Sequence, residues 1–125
     1  MPIKIGLSQL SAVFGAAGIA VGIFPGDTGN LHGIAALVWF ISGPISAIVA
    51  YKLETKPFAY FSVVIGAYAL LDLLLNVTMH GSSPFSVFGR GGTERMVAYP
   101  LLIWVIGFGG YLMGSASHMR DKIKT

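Results

Sequence analysis

Four apolar blocks occupy residues 5–24, 31–51, 58–78 and 96–115. Each is about 20 residues long, which is what a helix needs to cross the hydrocarbon core of a bilayer. In a chain of 125 residues they leave almost nothing for a soluble domain. Backbone in lipid must satisfy its own hydrogen bonds, so such blocks fold as helices. The expected fold is all-α: one transmembrane domain over 1–125, an integral membrane bundle of four transmembrane helices. Composition agrees, with 54% hydrophobic and 10% charged residues against about 25% charged in soluble domains. There is no cysteine, which excludes disulfides, thiol chemistry and Cys-ligated metals.

The first block follows Lys4 and resembles a secretory signal in outline. Its apolar run is longer than the usual h-region of about 7–15 residues, so it reads as a retained span. Orientation follows from the basic residues. Lys4, Lys52, Lys56, Arg120, Lys122 and Lys124 share one side of a four-span topology, against Arg90 and Arg95 on the other. Six against two predicts both termini in the cytoplasm and the first and third loops outside a cell membrane.

Ser8, Ser11, Gly15, Gly18 and Gly22 place small residues on one face of the first span. Packing within the chain is the preferred use of that face, ahead of a dimer interface. Pro25, Gly26, Asp27, Gly29 and Asn30 have turn chemistry, which makes the first two spans antiparallel neighbours. In the second span Pro44 removes a backbone donor and predicts a kink, with Ser42 and Ser46 able to satisfy freed groups. Lys52, Glu54 and Lys56 read as a solvated inner face, and Pro57 suits the first turn of the third span. Ser83 and Pro84 predict a short interfacial helix carrying Phe85, Val87 and Phe88. Thr93 is a candidate cap for the fourth span, Pro100 predicts a kink within it, and the terminal lysines and arginine suit its C-terminal end.

The chemistry concentrates at the predicted outer end. Asp27 and His32 flank the first turn. Asp72, Asn76 and His80 form a stripe at i, i+4, i+8 on the third span. Glu94, Arg95 and Tyr99 open the fourth, with Arg95 and Tyr99 on one face. Intramembrane acids are rare and point to function; the partner expected for Asp72 is Arg95, with His80 or His32 second. Arg90, Arg95 and the glycine-rich run ahead of the last span suit phosphate. His32, His80, Asp27 and Glu94 are metal-ligating types without ligand spacing, and no haem attachment motif is present, so no cofactor is expected. Small four-span multidrug exporters carry a glutamate within the first span; this first span has no acid.

Phe24-Pro25 followed by His32, and Glu94-Arg95 leading into Tyr99-Pro100, resemble a family of small prokaryotic membrane proteins catalogued as a domain of unknown function. The match runs from about residue 18 to 114. The resemblance implies that Phe24, Pro25, His32, Glu94 and Arg95 are motif residues. It also implies six spans in many members, so a four-span chain is expected to pair as a homo-oligomer.

The expectation is a non-enzymatic membrane protein whose outward polar pocket binds a lipid headgroup or small polar ligand. The pocket is expected from Asp27, His32, Asp72, Asn76, His80, Glu94, Arg95 and Tyr99. The alternatives are an intramembrane enzyme acting on lipid or isoprenoid phosphates, with His32 as acid/base, or an ion-coupled transporter using Asp72. Membrane lipids are the expected partners, and no nucleic acid is.

Overall fold

The computed structural model describes residues 2–79, 82, 84 and 86–124. Four helices carry nearly all of them: α1 (Pro2–Ile23), α2 (Asn30–Ala50), α3 (Phe58–Thr78) and α4 (Gly89–Lys124). Short 3-10 turns, Gly26–Thr28 and Ser86–Phe88, stand before α2 and α4. No strand occurs among the described residues. All four helices are long and apolar enough to cross a membrane. Ile19, Leu71, Val77, Ile103 and Ile106 all face outward, as they must where the surrounding solvent is lipid. The chain is a small multi-pass membrane protein.

α2 is the central helix. It packs on α1, α3 and α4, and α3 also packs on α4. No Cα of α1 lies within 8 Å of one in α4; the two helices meet through side chains in shared clusters, Leu7 with Trp104 and Phe14 with Leu101. Lipid supplies no hydrophobic drive between helices, so close approach of small residues has to hold them together. Gly66 shows the principle: a Cβ there would sit 2.6 Å from Ile48 Cγ1 and 2.7 Å from the Pro44 carbonyl oxygen. Ala47, Ala50, Ala59 and Ala69 fill the same seams. Two clusters bridge the helices: Leu7, Ala47, Ala50 and Trp104 form one, and Phe14, Ala69, Val97 and Leu101 the other.

The bundle has two ends. The turn end carries the α1–α2 turn, the close of α3 and the start of α4. The terminal end carries both chain termini and the α2–α3 loop, residues 51–57. At the turn end Gly29 takes φ 70, a backbone state that glycine adopts without steric cost.

Several local expectations change. Only Gly18 of the α1 glycine stripe meets a neighbour, Trp39; Gly15 and Gly22 have nothing within 4 Å of an added Cβ. The larger Leu7, Phe14 and Ala17 define the buried edge of α1 instead, which rotates half of the stripe outward. Ser42 donates to the Val38 carbonyl and Ser46 to the Ser42 carbonyl, each at 2.7 Å. Neither hydroxyl replaces the bond that Pro44 removes. Thr93 lies inside α4, its hydroxyl donating to the Arg90 carbonyl at 2.8 Å, because the helix already starts at Gly89. Ser83 and Phe85 of the expected interfacial helix lie outside the described residues. The part described is the exposed turn Ser86–Phe88.

Candidate functional site

Two cavities open at the turn end, one on each side of the start of α4. The larger, about 660 Å³, lies between α1, α2 and α4. His32, Glu94, Arg95 and Trp39 give it polar atoms, and Gly15, Ile19 and Leu102 give it an apolar wall. The smaller, about 610 Å³, lies between α3 and α4 against Phe40 of α2. Asn76, Arg90, Thr93 and Glu94 line it. Phe40 and Glu94 line both, so the two spaces are neighbours divided by these side chains.

His32 stands in the first turn of α2 and reaches back across the loop. Its Nδ1 lies 2.7 Å from the Phe24 carbonyl oxygen. A carbonyl only accepts, so Nδ1 carries the proton of this bond, and in that tautomer Nε2 is an acceptor. The bond closes the α1–α2 turn and leaves the other ring nitrogen for the cavity. Glu94 and Arg95 arrive from the early turns of α4, both exposed at the cavity mouth.

The remaining nominated residues lie elsewhere. Asp27 sits exposed in the turn Gly26–Thr28 and lines neither cavity. Tyr99 is 56% exposed and also lines neither. His80 lies outside the described residues. Asp72 is buried, 1% exposed, on the face of α3 that carries Ser62, Gly66 and Ala69. Its partner is Asn76, whose Nδ2 donates to the Asp72 carbonyl at 2.9 Å and to Oδ1 at 3.2 Å. Oδ2 is buried without a hydrogen bond. The expected Asp72–Arg95 pair is not formed. Arg95 faces the groove beside α1 and α2, whereas Asp72 faces into the bundle, so the helix register separates them. Asn76 connects Asp72 to the smaller cavity, which it lines. Among the described residues no group of three or more His, Cys, Asp and Glu side chains is placed to hold a metal ion.

A second polar assembly occupies the terminal end, and the sequence did not reveal it. Trp104 Nε1 donates to Ser62 Oγ at 2.8 Å, and Ser62 Oγ donates to Glu54 Oε1 at 2.9 Å. The chain of bonds ties α4 to α3 and α3 to the 51–57 loop. One residue on, the Thr55 backbone N–H donates to the Tyr111 hydroxyl at 2.9 Å, and Phe58 stacks on Tyr111 with ring centroids 5.4 Å apart. Glu54 Oε2 is buried without a partner. Burial pushes the Glu54 carboxyl above its ordinary range, and the Ser62 hydrogen bond opposes that shift. Lys52 and Lys56 are exposed, but Glu54 is not the solvated charge it was expected to be. The signal lay in Trp104: an indole N–H in mid-span needs an acceptor, and a serine on α3 with an acid behind it supplies one.

The family model described as "Protein of unknown function (DUF998)" matches residues 2–111. The chain belongs to this family. The match takes in α1, α2, α3 and most of α4, so both cavities and the Glu54 assembly are part of the DUF998 region. Phe24, His32, Glu94 and Arg95, which carry the resemblance, all fall at the turn end of this DUF998 fold: the first two share the 2.7 Å bond, and the last two line the cavity. No curated protein and no solved structure matches the chain.

Proposed function

We propose that this protein is a non-enzymatic membrane protein whose turn end faces outward from a cell membrane, both termini being cytoplasmic, and binds a lipid headgroup or small polar ligand there. The observation that carries this is the larger cavity: His32, Glu94 and Arg95 come from two helices and share one space of about 660 Å³. A cavity of this size with a few convergent polar groups on apolar walls is what a small-molecule site requires. The Arg95 guanidinium offers paired donors to a phosphate, and the membrane interface supplies phosphates in abundance. The test is the phospholipid that stays with the protein through purification in mild detergent. Arg95→Ala is expected to lower the bound phospholipid by about tenfold, the equivalent of about 1.4 kcal/mol, with the helices intact. Unchanged retention would remove this function.

Asp72 supports a second function, ion-coupled transport. A buried carboxylate oxygen with no hydrogen bond is costly in this setting, and Asn76 links it to a cavity at the turn end. Proton flux into proteoliposomes that disappears in Asp72→Asn is the outcome this requires. Flux that is absent in the native chain, or unaltered by the substitution, excludes it.

A further inference from the structure

The larger cavity is graded along the helix axes, and the grading matches a particular ligand. At its mouth stand His32, Glu94 and Arg95. Trp39 lies seven residues further along α2 than His32, about 10 Å deeper at about 1.5 Å per residue. Its Nε1 lies beside Gly18, 2.9 Å from where a Cβ would stand. No described side chain or backbone group accepts a hydrogen bond from this indole. Beside and below it the walls are Ile19, Ala98, Gly15 and Leu102, and the floor is closed where Phe14 and Leu101 pack together. From Gly15 to Val21 the slot is about 9 Å long. Its remaining side lies between α1 and α4 above that floor, where their Cα atoms are more than 8 Å apart. That gap faces the bilayer.

A soluble polar ligand has no use for the lower half of this slot. An amphiphile arriving sideways from the membrane has a use for all of it. The polar groups also sort by charge and by hydrogen-bonding sense. Arg95 only donates. Glu94 only accepts, and so does His32 Nε2 in the neutral ring whose Nδ1–H faces the Phe24 carbonyl. One cationic donor beside two acceptors fits a headgroup with one phosphate and one primary ammonium.

We propose that the cavity holds one glycerophospholipid of the phosphatidylethanolamine type, taken up sideways between α1 and α4. This rests on the binding function proposed above and names its ligand class. The phosphate lies on Arg95 and the ammonium on Glu94 and His32 Nε2. The indole of Trp39 donates to an acyl ester carbonyl at the depth where such a group lies. The first part of one acyl chain passes over Gly15 and Leu102, and the rest leaves sideways between α1 and α4 into the bilayer. A doubly anionic or purely anionic headgroup leaves Glu94 unpaired beside a negative charge. A choline headgroup cannot donate a hydrogen bond to either acceptor.

The test is competition by native mass spectrometry. The full chain is exchanged into detergent micelles containing equal amounts of phosphatidylethanolamine, phosphatidylglycerol and phosphatidylcholine, and separately into detergent with soluble phosphoethanolamine. Preferential retention of phosphatidylethanolamine is expected. Glu94→Gln is expected to lower its ratio to phosphatidylglycerol about tenfold. Gly15→Leu meets no atom within 4 Å at its Cβ, so the helix pair accommodates it, and circular dichroism checks that it does. This variant is expected to lose the lipid and keep soluble phosphoethanolamine. Equal retention of the three lipids by the native chain overturns the headgroup assignment. Full lipid retention in Gly15→Leu overturns sideways uptake, while bound phosphoethanolamine would still uphold the polar site. Loss of both lipid and phosphoethanolamine in the native chain overturns the site itself. A dimer that retains no lipid overturns the proposal in favour of a second copy covering the slot.

Discussion

The two ends of the bundle solve the same problem differently. Each brings a carboxylate and a hydrogen-bonding aromatic side chain to the edge of an apolar bundle. At the terminal end the groups close on one another: Trp104 on Ser62, Ser62 on Glu54, and the Tyr111 hydroxyl on the Thr55 amide. At the turn end they stay apart around open space, and Glu94, Arg95 and Trp39 line a cavity without joining each other. The closed network ties a loop to two helices. The open set leaves donors and acceptors in place for something that is not part of the chain. Polar residues in a membrane are therefore not a site by themselves; what separates lock from site is whether they bond to one another, as at the terminal end where Glu54 Oε2 alone is left over, or stand around open space.

The comparison breaks first at Trp104. It is 2% exposed and anchors the terminal-end cluster. Trp104→Ala removes both the packing and the Ser62 bond and is expected to cost about 3–5 kcal/mol, read from unfolding in detergent at graded denaturant. Arg95→Ala, at an exposed position, is expected to change stability by less than about 0.5 kcal/mol. Similar losses from the two substitutions would show that the ends do not divide the work as described.

A smaller effect sharpens the same contrast. Burial raises the Glu54 carboxyl above its ordinary range in the folded protein. A folded state that holds its proton more tightly than the unfolded state loses stability as pH rises from the ordinary carboxylate range to the raised value, and regains it on acidification. The terminal end is thus expected to loosen as pH increases through that window. Hydrogen exchange at the Thr55 amide reads it once the intrinsic rate is corrected for pH. Glu54→Gln is expected to flatten the dependence. A rise of protection with pH in that window contradicts the desolvated carboxyl.

The helices were legible in the sequence because the constraint that makes them is blunt: apolar length fixes the number of spans, and lipid permits little but helix. His32, Glu94 and Arg95 were legible as unusual polar residues near helix ends, and they do meet at one cavity. The Asp72–Arg95 pair was not, since a shared membrane depth says nothing about the rotation of two helices, and Asp72 bonds to Asn76 on its own helix. Glu54 was hidden because a loop acid between two lysines has the pattern of a solvated turn. Its burial depends on Ser62 and Trp104, 8 and 42 residues distant in steps along the bonded chain. The small residues of α1 misled for a related reason. Spacing identifies a face, but Leu7 and Phe14 decided which edge of it turned inward.

The account rests on a lipid phosphate standing at Arg95. Solid-state NMR of the isotope-labelled chain in bilayers containing phosphatidylethanolamine measures this through the dipolar coupling between lipid phosphorus and arginine side-chain nitrogen. The expected result is a long-lived phosphorus contact at Arg95, weakened by Glu94→Gln and absent in Gly15→Leu, with Arg120 showing only the averaged contact of a residue near bulk headgroups. A contact at Arg95 no stronger than at Arg120, or one untouched by Gly15→Leu, would contradict it.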